Sequence, residues 1–260
     1  MSKFLDFLSR IREGGSAPLG FGAVRAEKLP GMALVGLVSR DHAKGAGVAL
    51  EVGADAVIIA GADGSDGLKK LAGSLTARPW GARVSALGEG EAQIYEDGGS
   101  DLLVFNLEGT AASALASQEI ARILCVDPGI EEHRLRAVAS LPVDAFLLPM
   151  TGTSASWTLQ DLATVGAISR RVDKYTLVEV SQPPGKKDLE ALRDIGVNGL
   201  VLDVGSVSVE KLKELRAALL EMPRPRSGRR ERSRAILPGS VYAVAAAAPG
   251  REDEEEEEDD

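Results

Sequence analysis

The chain has a single cysteine, Cys125, in 260 residues. One thiol excludes an internal disulfide and a cysteine-rich metal site, and it fits a reducing, cytoplasmic compartment. Aromatic residues make up only 4%, too few for platforms that stack bases or sugars. No apolar run reaches the roughly 18 residues of a membrane-spanning helix. Residues 1–12 also lack the uninterrupted apolar stretch of a secretory signal, because Lys3, Asp6, Arg10 and Arg12 are spread among Phe4, Phe7, Leu8 and Ile11. That spacing predicts a short amphipathic helix packed on the bottom or side of a core. Attachment to a membrane surface or to a partner helix is the other use of such a segment.

The remaining chain is organised around residues 175–222, which read as strand, loop, helix, strand, loop, helix. Residues 175–181 are rich in β-branched side chains and are stopped by Pro183, Pro184 and Gly185. A surface helix follows over 186–195, with Leu189, Leu192 and Ile195 on one stripe and Gly196 as its C-terminal cap. Residues 197–204 are apolar apart from Asn198 and Asp203, the pattern of a strand covered on both faces. Helical spacing returns over 209–222 through Leu212, Leu215 and Leu219.

Six more such units precede it. Strands are expected at 32–39, 54–60, 81–86, 101–107, 121–127 and 143–149. Helices are expected at 41–52, 66–75, 89–96, 110–119, 131–141 and 156–171. A second rhythm overlies the first. Gly53-Ala54-Asp55, Gly99-Ser100-Asp101, Pro142-Val143-Asp144 and Gly196-Val197-Asn198 introduce strands two, four, six and eight, and nothing equivalent introduces the odd ones. Such a two-unit period matches a barrel whose interior layers come from alternate strands. An open doubly wound sheet is the alternative, but it would usually have fewer strands and a glycine-rich first turn. The fold expected is therefore an α/β (βα)8 barrel over 32–222, preceded by an N-terminal helix and lead-in over 1–31.

The alternation, and the ending in which a helix, Gly196-Val197-Asn198, a strand and Gly205-Ser206 follow one another, resemble the phosphate-binding group of TIM barrels. That group includes isomerases and synthases of histidine and tryptophan biosynthesis and flavin-linked barrels. The resemblance implies a site at the C-terminal ends of the strands, with phosphate held by glycine-rich loops after strands seven and eight and by a helix N-terminus. Gly205 and Ser206 match the second loop. The first departs from the pattern: Ser181-Gln182-Pro183-Pro184-Gly185 stands where a Gly-Gly turn belongs, and proline has no N–H to donate. Lys186 offers charge in its place.

Polar residues expected at that mouth are Arg40, Asp41 and His42 after strand one, Asn106 and Glu108 after strand four, Asp127 after strand five, Glu179 on strand seven and Asp203 on strand eight. Asp127, Glu179 and Asp203 are the candidate catalytic acids. Converging with Glu108, they would suit Mg2+ or Mn2+; two carboxylates in different surroundings would instead serve as acid and base. Glu179 and Asp203 lie inside apolar strands, and a buried carboxylate needs compensation. Pairing with Arg40 or Arg83 inside the barrel is the structural account. Asp41 beside His42 is the pattern of a general base; a surface histidine at a helix start is the structural account. Cys125, in mid-strand, reads as core. No lysine lies within a strand, which disfavours a Schiff-base aldolase, and no zinc spacing, triad or dinucleotide fingerprint is present. The loops are short, leaving little for a lid.

After residue 222 the composition changes. Residues 224–234 hold six arginines and one glutamate, 235–250 are mildly apolar, and 251–260 hold nine acids and one arginine. The acidic run is expected to be a disordered tail, because like charges repel and it has no apolar surface to bury. It suits a basic partner. The barrel itself is mildly acidic and has no nucleic-acid footprint. Two functions remain open: an enzyme, a lyase or isomerase acting on a phosphorylated small molecule, or a non-catalytic barrel that works as a scaffold through its surface and charged C-terminal region.

Overall fold

The computed structural model describes residues 2–13, 28–61, 73, 75, 78–88, 90–116, 119–152 and 156–223. The segments expected beyond 223, including the acidic tail, lie outside these residues, as does most of the helix expected at 66–75.

Eight parallel strands close into a barrel in sequence order. They are β1 (Ala33–Val38), β2 (Ala56–Ala60), β3 (Trp80–Arg83), β4 (Leu102–Phe105), β5 (Ala121–Cys125), β6 (Ala145–Pro149), β7 (Tyr175–Glu179) and β8 (Gly199–Asp203). The closing pair is β1 with β8, Leu37 lying opposite Asp203. Around it the described residues form α1 (Lys3–Arg12), α2 (His42–Glu51), α3 (Glu91–Asp97), α4 (Glu132–Ala139), α5 (Leu159–Ser169), α6 (Lys186–Asp194) and α7 (Val209–Glu221). The fourth unit differs from expectation: in place of a helix over 110–119, its described residues form a 3-10 turn, Ala112–Leu115, in which Ala114 is buried. Its Ala/Ser-rich sequence has no large apolar stripe with which to anchor a longer helix.

The strands are apolar almost throughout because both faces are covered. One set of side chains, among them Val35, Ile58, Val104, Ile123, Leu147 and Val201, fills the barrel. The alternate set, such as Leu34, Val57, Leu103, Phe146 and Val178, packs under the helices. Thr176 is a fully buried polar member of that outer set. It is 0% exposed and its Oγ1 has no hydrogen-bond partner among the described residues. Thr176→Val removes an unsatisfied hydroxyl at constant shape and is expected to stabilise the protein by about 1 kcal/mol, read as a higher urea midpoint with unchanged slope.

The residues that introduce the even strands have a structural role at the N-terminal end of the barrel. Each main-chain N–H bonds the preceding odd strand: Asp55 to the Leu34 carbonyl, Asp101 to Trp80, Asp144 to Arg122 and Asn198 to Thr176. In three of the four the side chain completes the pair. Asp55 accepts from the Leu34 N–H at 2.9 Å, Asp144 from Arg122 N–H at 2.8 Å, and Asn198 from Thr176 N–H at 2.9 Å. The two-unit period is thus a registration device at strand entry, set by backbone groups that need partners. It does not mark the interior layers to which the sequence pattern was matched.

Asp101 breaks the rule. Its carboxylate accepts from the Ser2 hydroxyl at 2.8 Å, the Lys3 N–H at 2.8 Å and the Phe4 N–H at 2.9 Å. These are donors at the first turn of α1, where a helix has no internal acceptors and favours negative charge. α1 lies across the bottom of the barrel with Phe4 and Leu8 fully buried in the interior cluster. Arg12 stacks over the Tyr175 ring, 4.6 Å from its centroid. The amphipathic helix expected at the N-terminus is therefore a plug at this end.

Asp55 is also held by both guanidinium nitrogens of Arg216, at 2.7 and 2.9 Å. Burial nevertheless pushes its carboxyl above the ordinary aspartate range, against the pull of Arg216 and of the Leu34 N–H. A raised folded-state value gives a contribution that is full below the unfolded value and is lost as pH rises through the folded one. The stability of the native chain relative to Asp55→Asn is expected to increase as pH falls from neutrality through the carboxylate range. Urea unfolding of both proteins across that range tests this; a pH-independent difference would refute it.

Candidate functional site

The C-terminal end of the barrel interior is capped by charge. Period-2 alternation turns Arg83, Cys125 and Glu179 inward at the ends of β3, β5 and β7, three of the odd strands that share a layer. Arg83 Nη1 donates to Glu179 Oε2 at 2.8 Å, and Nη2 lies 3.8 Å from Cys125 Sγ. Glu179 is 8% exposed, and Arg83 is the cation that compensates its burial. The Arg83 side chain keeps 28% of its surface open. Two of its five N–H donors make these contacts. Burial pushes the Cys125 thiol up, which leaves it neutral and poorly nucleophilic.

Asp203 sits at the rim. It accepts from the Ser39 hydroxyl at 2.6 Å, the Gly205 N–H at 2.9 Å and the Ser206 hydroxyl at 3.1 Å, and its carbonyl takes the Ser206 N–H at 3.1 Å. The Gly205 N–H and the Ser206 hydroxyl are thereby turned onto the chain's own carboxylate. Ser208 caps α7 by accepting from Lys211 N–H. In the loop after β7, the Ser181 hydroxyl donates to the Thr151 carbonyl. Lys186 reaches Glu221, the last residue of α7, at 3.5 Å.

The other expected mouth residues diverge. Asp127 accepts from the Gly129 N–H at 2.7 Å and stabilises its own turn. Glu108 pairs with Arg134 at 3.2 Å, both exposed. Asn106 is exposed and its carbonyl accepts from the Thr110 hydroxyl. Arg40 and Asp41 are exposed, with Asp41 at φ 43° before α2 and making no side-chain cap. His42 is 2.9 Å from the Ala60 carbonyl through Nε2, so it ties α2 to the end of β2; the Asp41–His42 pair is a helix start.

Convergence of the acids is therefore not found. Glu179 and Asp203 are held by separate partners, and among the described residues no three His, Cys, Asp or Glu side chains are grouped to hold a metal ion. The described residues do not fit the Mg2+ or Mn2+ centre that the acids suggested. Of the two cations considered as partners for a buried acid, Arg83 takes Glu179 and Arg40 stays in solvent. Arg83 belongs at the centre of the site and was considered from sequence only as a compensating charge. The signal was present: it is an inward-phase cation in a strand of four residues. Cys125, read as core, closes the strand instead of lying within it.

No protein-family model matches the chain, and no curated protein matches it by sequence. Solved structures do match in shape. KGPDC from Streptococcus mutans superposes with a TM-score of 0.60 at 13% identity, over 74% of this chain and 98% of that one. For 3-hexulose-6-phosphate synthase from Salmonella typhimurium the values are 0.58 and 14%, over 74% and 100%. For 3-keto-L-gulonate-6-phosphate decarboxylase from Vibrio cholerae O1 they are 0.57 and 13%, over 74% and 96%. Identities this low speak to the fold alone. By fold the chain is a TIM barrel similar to these structures.

Proposed function

We propose that the protein binds a small anionic metabolite, of the phosphorylated class named for its structural neighbours, at the C-terminal mouth of the barrel, and that it acts there as a lyase-type enzyme. The observation that carries this reading is the Arg83–Glu179 pair, a cation and a carboxylate brought together at the one end of a TIM barrel where chemistry is built. Arg83 would take the anionic group or stabilise negative charge developing on a carbon next to a carbonyl. Glu179 would move the proton. Asp203 would orient a hydroxyl from the rim. No helix among the described residues is long and apolar enough to cross a membrane. A reducing, cytoplasmic setting fits the single thiol, and a basic partner suits the acidic run at 251–260.

A scaffold role is the second reading. It is favoured by the engagement of the Gly205 N–H and both Ser206 donors with Asp203, the two residues matched to the phosphate loop. A thermal-shift titration separates the two. Inorganic phosphate and a panel of sugar phosphates should raise the melting temperature of the native chain saturably and leave Arg83→Met unmoved. A ligand at 100 times its Kd stabilises by about 2.7 kcal/mol. A folded native chain that responds to none of them would support the scaffold.

A further inference from the structure

We infer that Glu179 is a built-in occupant of the Arg83 anion site, and that a ligand anion which displaces it causes Glu179 to take up a proton from solvent. The inference rests on the reading of Arg83 as the anion-binding group. Without ligand, Arg83 and Glu179 neutralise one another at 2.8 Å, in a position where the Glu179 residue is 8% exposed. A second anion on the same guanidinium leaves two negative groups sharing one positive charge in a poorly solvated layer. The exposed ligand keeps its charge at least cost; the buried carboxylate is the one that protonates.

Among the described residues, Arg83 is the cation paired with Glu179, and its other neighbours bring no positive charge. Cys125 across the layer on β5 is a neutral thiol. The neighbouring strands place Pro149 and Val201 beside it. Asp203, further along β8, brings no cation and is engaged with Ser39, Gly205 and Ser206. Ligand binding thus prepares the site: it converts Glu179 from a counter-ion into a carboxylic acid beside the bound molecule, ready to donate the proton that a lyase-type step returns to carbon or oxygen.

Sulfate is a suitable probe, since it does not titrate near neutrality. Calorimetric titration at constant ionic strength, in buffers of different ionisation enthalpy, reads the protons exchanged per anion bound. The native chain is expected to take up about one proton per sulfate. Glu179→Gln keeps an oxygen acceptor for Arg83; it should bind sulfate on the order of tenfold more tightly and exchange no protons. Arg83→Met should not bind. Sulfate binding that needs Arg83 but brings no proton uptake, or that weakens in Glu179→Gln, would overturn the displacement while leaving the anion site intact. Binding by none of the folded proteins, or equally by Arg83→Met, would overturn the site and the displacement with it.

Discussion

Arg83→Met is expected to destabilise the barrel by about 3 kcal/mol, because it leaves Glu179 buried without its counter-ion. Removing one partner of a buried pair costs about 3–5 kcal/mol, and the residual exposure of Arg83, 28% of its side chain, places this pair at the lower end. The second change in the cycle, Glu179→Leu, also strands a charge, but a more exposed one. The double variant Arg83→Met/Glu179→Leu replaces the pair by apolar groups of similar volume and should recover most of the loss, since such exchanges are often neutral or stabilising. Urea unfolding of the four proteins gives the coupling directly. Additive effects would mean that water reaches Glu179 and that the pair is not the closed unit described. Binding gives an independent readout: the double variant should be stable yet unable to take an anion, which separates the site's chemistry from its contribution to folding.

Asp101→Ala is expected to cost about 3 kcal/mol and to loosen α1. Three donors at the start of the helix lose a shared carboxylate, each charge-assisted bond being worth about 1.5–3 kcal/mol less what water restores. Ser2 still caps through its acceptance from Leu5 N–H, so the helix itself need not melt. What it loses is its seat. Phe4 and Leu8, each contributing about 1.5–3 kcal/mol by burial, are held in the bottom of the barrel by the placement of that first turn. Deleting residues 1–13 should therefore cost more than Asp101→Ala and open the interior cluster to an apolar dye. Asp101→Asn, which keeps an oxygen acceptor, should fall between Asp101→Ala and the native chain. Equal stability of the deletion and the native chain would show that the barrel bottom closes without α1.

These two experiments probe opposite ends of one interior. The same alternation that turns Ala33, Val35 and Leu37 inward on β1 carries Arg83 and Glu179 to the top on β3 and β7. The apolar middle separates the plug from the site. Changes at Asp101 should therefore leave sulfate binding unaltered so long as the barrel stays folded, as expected for sites too far apart to share partners.

The barrel was legible because its signals are local. Glycine and proline punctuation, apolar runs of strand length and helical stripes such as Leu212, Leu215 and Leu219 are properties of a few consecutive residues, and eight repeats of them leave one closed architecture. Strand ends shifted by one to three residues, the largest shift being at β3, which ends at Arg83. The fourth helix shrank to a turn because Ala and Ser offer no apolar anchor.

The site was legible only as a ring of polar residues at strand ends. Sequence alone did not give the partners of its acids: Glu108, Asp127, Glu179 and Asp203 each have their own in the structure. By itself, then, the sequence determined the repeating unit, its count, the amphipathic first helix and the end of the barrel at which charge collects. Only the tertiary structure decided that Arg83 meets Glu179 across 96 residues and that Asp101 leaves the even-strand pattern to seat Lys3 and Phe4, 98 and 97 residues away. Closure of the barrel sets strand stagger, and stagger sets which inward side chains share a layer. That relation depends on all eight strands at once, and no local run of residues contains it.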